Sequence, residues 1–198
     1  MYDRDMRDMK NKEPKDLLII PDCHAAPEYD NKRFSALGNF IIDQQPDIIV
    51  CLGDFGDMPS LSSYDKGTKG FEGRRYKKDI LSVIDAQEKL FAPIKKFNDV
   101  KRKRKEKQYK PKLHMCLGNH EDRIERAVNS APELEGAIGL SDLQYEKFGW
   151  KVTPFKSCLS IENIMFSHYF TSGVAGRPIS STHVGFHLVS KLHCSAVQ

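Results

Sequence analysis

No run in this 198-residue chain approaches the length of a membrane span, so no membrane-crossing helix is expected. The stretch from Met1 to Lys15 is dense in charge and holds no apolar core. It is read as a flexible tail, with neither a secretory signal nor a membrane anchor. Cysteine is scarce and does not pair off: there are five, at 23, 51, 116, 158 and 194, odd in number and widely spaced. That usage argues against a disulfide framework and fits reduced thiols among apolar neighbours, so a cytoplasmic location is expected. Net charge is also low, +4 at pH 7, with 39% hydrophobic and 29% charged residues, the balance of one ordinary globular domain with a substantial core.

What the chain does have is a repeated pattern. Pro46-Asp47-Ile48-Ile49-Val50 reads as a buried strand and delivers Gly53, Asp54 and Asp57 to its carboxyl end. Three more apolar runs end the same way: Leu17 to Ile20 into Asp22 and His24, Leu113 to Leu117 into Gly118-Asn119-His120-Glu121, and Ile164 to Phe166 into His168. Open α/β sheets carry their chemistry at carboxyl ends of strands, and ends that converge on one edge would assemble a metal cluster. Asp22 and His24, two apart in extended backbone, are expected on one face.

Between these runs, Asn31 to Gln45 spaces Phe34, Leu37, Ile41 and Ile42 as a helix, with Asp30 as N-cap and Pro46 as stop. Met58 to Gly73 is a long polar loop, of the kind that is functional or mobile. Arg74, Arg75, Lys77 and Lys78 open a long helix with an apolar stripe from Ile80 to Ile94. A basic insert at about 95–112 carries ten lysines and arginines against Asp99 and Glu106. It reads either as a solvated insert between helix and strand or as a contact for polyanions through Lys101 to Lys112. Residues 129–149 are expected as short helices and turns, Trp150 to Phe155 and Ser157 to Ser167 as strands with a hairpin turn at Glu162-Asn163, and Thr182 to Cys194 as a last helix before another strand begins.

Taken in order, Asp22-x-His24, Gly53-Asp54-x-x-Asp57, Gly118-Asn119-His120-Glu121 and His168 resemble the motifs of the calcineurin-like metallophosphoesterases, over residues 16–198. The overall character of the chain is also similar to phage-encoded members. The resemblance implies an α/β fold, a metallophosphoesterase-type α/β/β/α sandwich with mixed sheets. It also implies two divalent cations, Mn²⁺ foremost with Fe, Ni or Zn as alternatives, bridged by Asp54. Asp22 and His24 would hold the first and Asn119 and His168 the second, and Cys23 would stand by unused. A bridging hydroxide would attack phosphorus, His120 would serve the leaving oxygen, and Asp57 would orient His120. Arg74, Arg75 and Arg123 are candidates to grip the phosphate, Met58 standing where one branch of the family has an arginine.

The family's last motif, Gly-His-x-His, is missing, and the chain is read as truncated in its carboxyl-terminal part, holding metal weakly until such a segment is restored. His114, His183, His187 and His193 are read as structural or surface groups. The expected activity is phosphoester hydrolysis, by a phosphodiesterase or phosphatase, with nucleotide or nucleic-acid substrates favoured by the basic run. The competing reading is a fold that binds nucleic acid or a protein partner with little or no turnover.

Overall fold

The computed structural model describes residues 15–170 and the backbone of 171–172, 177–178 and 195–196. The expected last helix, with His183, His187 and His193, lies outside the described residues, as does most of the tail. Five strands form one parallel sheet: β1 (Leu17–Ile20), β2 (Ile48–Cys51), β3 (Lys112–Cys116), β4 (Lys151–Thr153) and, from the carboxyl-terminal region, β9 (Ser195–Ala196). Their order is β4-β3-β2-β1-β9, with Leu17 opposite Ile48 and Ile48 opposite Lys112. Two antiparallel pairs complete the described strands: β5 (Leu159–Ile161) with β6 (Ile164–Phe166), and β7 (Thr171–Ser172) with β8 (Arg177–Pro178). The turn between β5 and β6 is Glu162-Asn163, both at positive φ, as a two-residue hairpin with matching twist requires.

Alternation along the strands divides the core in two. Leu18, Ile20, Ile49, Cys51 and Met115 face one way, onto α1 (Lys32–Gln44) and α2 (Tyr76–Lys103) through Phe34, Ile41, Val83 and Leu90. Ile48, Val50 and Cys116 face the other way and meet Ile161 and Phe166 of the β5–β6 hairpin. Every residue of β2 is buried, as befits a central parallel strand. Helices, parallel sheet and hairpin are thus stacked in layers, with α3 (Asp122–Ser130) following β3 and short 3₁₀ turns filling 132–148.

Two details differ from the expected outline. Asn31 takes the N-cap position of α1, but its side chain binds Ser82 and Asp85 of α2, and Asp30 Oδ1 accepts the Lys32 N–H instead. The basic run is continuous with α2, whose 28 residues extend through Lys103 and include Pro93. Residues 104–111 are then pinned by paired hydrogen bonds between Asn98 and Tyr109, both 2.8 Å, and by Tyr109 Oη donating to Pro46 O at 2.7 Å.

The helices α1 and α2 cross where Gly38 leaves room for the α2 backbone: a Cβ there would lie 2.3 Å from Leu90 O. Helix propensity alone favours alanine over glycine by about 1 kcal/mol, and overpacking against backbone costs about 1–3 kcal/mol. Gly38→Ala is therefore expected to destabilise the fold, and a rise in the urea midpoint would show that the helices separate freely.

Candidate metal centre

Because β1, β2 and β3 run parallel, the segments that follow them emerge at one edge, and backbone hydrogen bonds hold them together beyond the strands. Cys23 and His24 N–H groups donate to Asp54 O at 3.1 and 2.9 Å, Ala25 N–H to Phe55 O at 2.8 Å, and Asp57 N–H to Ala25 O at 3.0 Å. His24, Asp54 and Met58 all have φ near +48°, a strained choice for residues with side chains. The left-handed turn at His24 corrects the expectation that Asp22 and His24 share a face. Asp22 Oδ1 faces His168 Nδ1 at 3.8 Å, whereas His24 turns toward Asp57 at 3.4 Å and stacks edge-on against His120, centroids 4.8 Å apart.

Asp54 lies at the middle, 3% exposed. Its Oδ1 accepts the His120 backbone N–H at 2.8 Å, and its Oδ2 lies 3.4 Å from His168 Nε2 and 3.7 Å from His120 Nε2. Ligand atoms of His24, Asp54 and His120 all fall within 4.8 Å of one another. On the other side His168 Nε2 is 2.9 Å from Asn119 Oδ1. His168 Nδ1 lies 3.0 Å from Leu52 O, a carbonyl that can only accept, so Nδ1 carries a hydrogen and Nε2 is the nitrogen turned to the cluster. Nε2 faces the Asn119 amide oxygen and the Asp54 carboxylate, so an imidazole nitrogen, an amide oxygen and a carboxylate oxygen meet at one point. Such a cluster is favourable around a cation, and the mixed oxygen and imidazole set fits a divalent metal.

His120 also makes a dyad. Its Nδ1 is 2.6 Å from Asp57 Oδ1, and Arg123 donates to Asp57 O at 2.7 Å and lies 3.2 Å from His120 Nε2. The hydrogen bond from His120 holds the Asp57 carboxyl below its ordinary range. Burial works against a charge on His120, yet Asp57 and the nearby Asp54 outweigh it and raise the imidazole. Of the three candidate arginines, Arg123 reaches this cluster. Arg74 is taken up by Asp65 and Pro59 O, and Arg75 turns back on the Arg74 carbonyl. His114, on β3, has an Nδ1 that is buried without a hydrogen-bond partner among the described residues, and burial lowers its pKa.

Glu121 had no role in the sequence reading, although it belongs to the quoted motif. It is fully buried and accepts N–H groups from Asp54 at 2.9 Å, Gly56 at 3.1 Å and Gly118 at 2.9 Å, with Tyr145 Oη at 3.0 Å. Burial pushes its carboxyl up, while the backbone N–H groups, which can only donate, favour the ionised form. The turns it joins touch so closely that a Cβ at Gly118 would sit 2.0 Å from Asp54 Oδ1. No pattern in the sequence distinguishes Glu121 from an exposed acid in the first turn of a helix.

Comparison with known proteins places these residues in context. Residues 16–192 match the family of calcineurin-like phosphoesterases. The chain is also similar to the Gene 54 protein of Mycobacterium phage L5, 40% identical over 65 residues, which are 33% of this chain and 25% of that protein. With the Gene 54 protein of Mycobacterium phage D29 the identity is 34% over 85 residues, 43% of this chain and 32% of that protein. The chain thus matches a quarter to a third of the length of these relatives.

The sharpest test of the arrangement is Glu121. Glu121→Ala strands three buried N–H groups, each costing about 1–3 kcal/mol when unsatisfied, so a loss of at least about 3 kcal/mol is expected in urea unfolding. Glu121→Gln should recover part of it, since the amide keeps one acceptor but turns an NH₂ toward donors. Equal stability of all three proteins would mean that the turns hold without this carboxylate.

Proposed function

The chain belongs to the calcineurin-like phosphoesterase family, which makes it a metal-dependent phosphoesterase, a hydrolase using divalent cations, and from that premise we propose a dinuclear phosphoester hydrolase that favours nucleotide or nucleic-acid diesters. Asp54 would be shared by the two cations; Asp22 and His24 would hold one, Asp22 reaching it from the His168 side and His24 from the His120 side, and Asn119 and His168 would hold the other. The observation that carries this reading is the Asp54 carboxylate, buried with its Oδ2 within 3.4 Å of His168 and 3.7 Å of His120. When bound, the cations supply Lewis acidity and an activated water as nucleophile, Mn²⁺ being the first choice and Fe, Ni or Zn the alternatives.

The chain's own groups supply the rest. His120 would present a proton at Nε2 to the leaving oxygen, its other nitrogen held by Asp57 so that the ring keeps one orientation and its charge is favoured. Arg123, beside Nε2, would turn to the phosphoryl oxygens as substrate enters and displaces it from the imidazole. Arg74 and Arg75 would contribute to the approach of an anion rather than to its grip, given the partners they already have. Free thiols at Cys23, Cys51 and Cys116 and the similarity to phage proteins support a reducing location, the host-cell cytoplasm.

Two experiments separate these roles. Asp54→Ala should abolish binding of both cations, measured by calorimetry with Mn²⁺, because the remaining ligands of each lose their shared carboxylate. His120→Asn should keep the metals and slow hydrolysis of bis-p-nitrophenyl phosphate by about 10²–10⁴-fold. Equal metal loss in both variants would refute the division of labour, and a parent chain that binds metal without hydrolysis would return the non-catalytic reading.

The basic run is proposed as a contact for nucleic acid away from the chemistry. Helix α2 starts at the loop beside the site and ends about 42 Å away, 28 residues at 1.5 Å each, near the amino ends of the strands. Within the run Lys101 pairs with Glu106 at 2.7 Å and Arg102 with Asp99 at 2.9 Å, which leaves Lys103, Arg104 and Lys105 as the freer charges. Neutralising Lys101 to Lys105 is expected to weaken binding of long DNA or RNA and flatten its salt dependence, with hydrolysis of the small diester unchanged. An unaltered salt slope would leave the run as a solvated helix end.

A further inference from the structure

Beside Asn119 a groove of about 890 Å³ opens between the loop after β2 and α3. Its inner end is the candidate metal centre, because Asn119 and Arg123 form part of its wall. Its charge is one-sided. Lys66, Arg123, Arg126 and Lys156 line it against one carboxylate, Asp122, which is already paired with Arg126 Nε at 3.2 Å. Arg126 also donates to Asn119 O at 3.0 Å, so its guanidinium stands next to the centre with N–H groups to spare. Neither Lys66 nor Lys156 has a carboxylate partner among the described residues.

Flat side chains line the same groove. Tyr64, at the rim, is 87% exposed, an unusual placement for so large a ring. On the opposite wall Phe155 packs edge-on to Tyr169, centroids 5.3 Å apart, with the Lys156 ammonium 5.4 Å above the Phe155 ring. A groove lined by both cations and aromatic side chains matches a polymer made of phosphates and bases. A phosphorylated peptide would use the cations and leave the exposed ring idle. The nine residues of α3 rise about 13 Å, room for about two to four nucleotides.

We propose that this groove binds a short single-stranded stretch of nucleic acid, one base stacked on Tyr64 and its phosphates beside Lys66, Arg126 and Lys156, which delivers the adjoining phosphodiester to the metal centre. This rests on the phosphoesterase reading for the chemistry at the inner end and not for the binding itself. Tyr64, Lys66 and Lys156 are therefore specificity residues, outside the groups that would hold metal or move protons.

The test uses the 198-residue chain and a fluorescein-labelled thymidine tetranucleotide, too short to span from the groove to the far end of α2. Fluorescence anisotropy should show binding weakened about 5–100-fold by Tyr64→Ala and restored by Tyr64→Phe, as loss and recovery of one stacked base predict. The double variant Lys66→Gln with Lys156→Gln should reduce the log–log salt slope by about 1.4, two phosphate contacts at about 0.7 each. Hydrolysis of bis-p-nitrophenyl phosphate with Mn²⁺ should be the same in all of them. The proposal is overturned if the parent does not bind the tetranucleotide, if Tyr64→Ala and the double variant bind it as the parent does, or if a phosphoserine tetrapeptide displaces it at equal or lower concentration. Failure of the parent to hydrolyse the small diester would sink the phosphoesterase reading alone, since the anisotropy arms decide the groove without turnover.

Discussion

One buried carboxylate holds the site's two central turns together. Glu121 receives the N–H groups of Asp54 and Gly56 from the turn after β2 and that of Gly118 from the turn after β3, while Tyr145 closes the set from the far side. Parallel strands pair only along their own length, and at their carboxyl ends the backbone donors would otherwise be left unpaired in a dry interior. Glu121 satisfies three of them at once with charge-assisted hydrogen bonds. In return the His120 N–H binds Asp54 Oδ1, so the carboxylate at the middle of the site is oriented by the same pair of turns that Glu121 clamps.

Two buried carboxylates in adjacent turns make the site electrostatically incomplete. Asp54 has imidazoles as its nearest side chains and no lysine or arginine in contact among the described residues. Burial of an unpaired charge is expensive, and burial together with the nearby Asp54 raises the Glu121 carboxyl. The strained left-handed backbone at His24, Asp54 and Met58 points the same way, since such positions persist where the surroundings over-determine them and gather where geometry serves a function. A divalent cation would relieve both costs together, which is why the folded turns and the metal reading support each other.

Much of this was legible in the chain. Strand ends are readable because a buried parallel strand is a plain apolar run, and Ile48–Cys51 and Lys112–Cys116 carry the expected residues just beyond them. The hairpin at Glu162-Asn163 and the strand begun near Cys194 likewise lie where they were expected. What was not legible is tertiary. Extended backbone was assumed from Asp22 to His24, but the hydrogen bonds of Cys23 and His24 to Asp54 O bend it, and the two side chains part. The three candidate arginines are equivalent as letters, and only the packing of α3 against the β2 turn brings Arg123 to Asp57 while Asp65 captures Arg74. Glu121 looks like any acid in the first turn of a helix until the neighbouring turn closes over it.

The long helix α2 sets the electrostatic plan of the molecule. It starts beside the acidic centre and carries its basic run to the opposite end of the sheet, so those lysines do not neutralise the carboxylates that a metal would need. Cations near the centre are held at its margin: Arg123 by Asp57 and Met58 carbonyls, Arg126 by Asp122 and the Asn119 carbonyl, and Arg33 by the Cys23 and His24 carbonyls. Hydrogen bonds to carbonyls fix a guanidinium in place without discharging it, so its charge stays available to an incoming anion. The result is a negative core for cations with a positive rim for phosphate, and the two are kept apart by a single turn of backbone between Asn119 and Arg123.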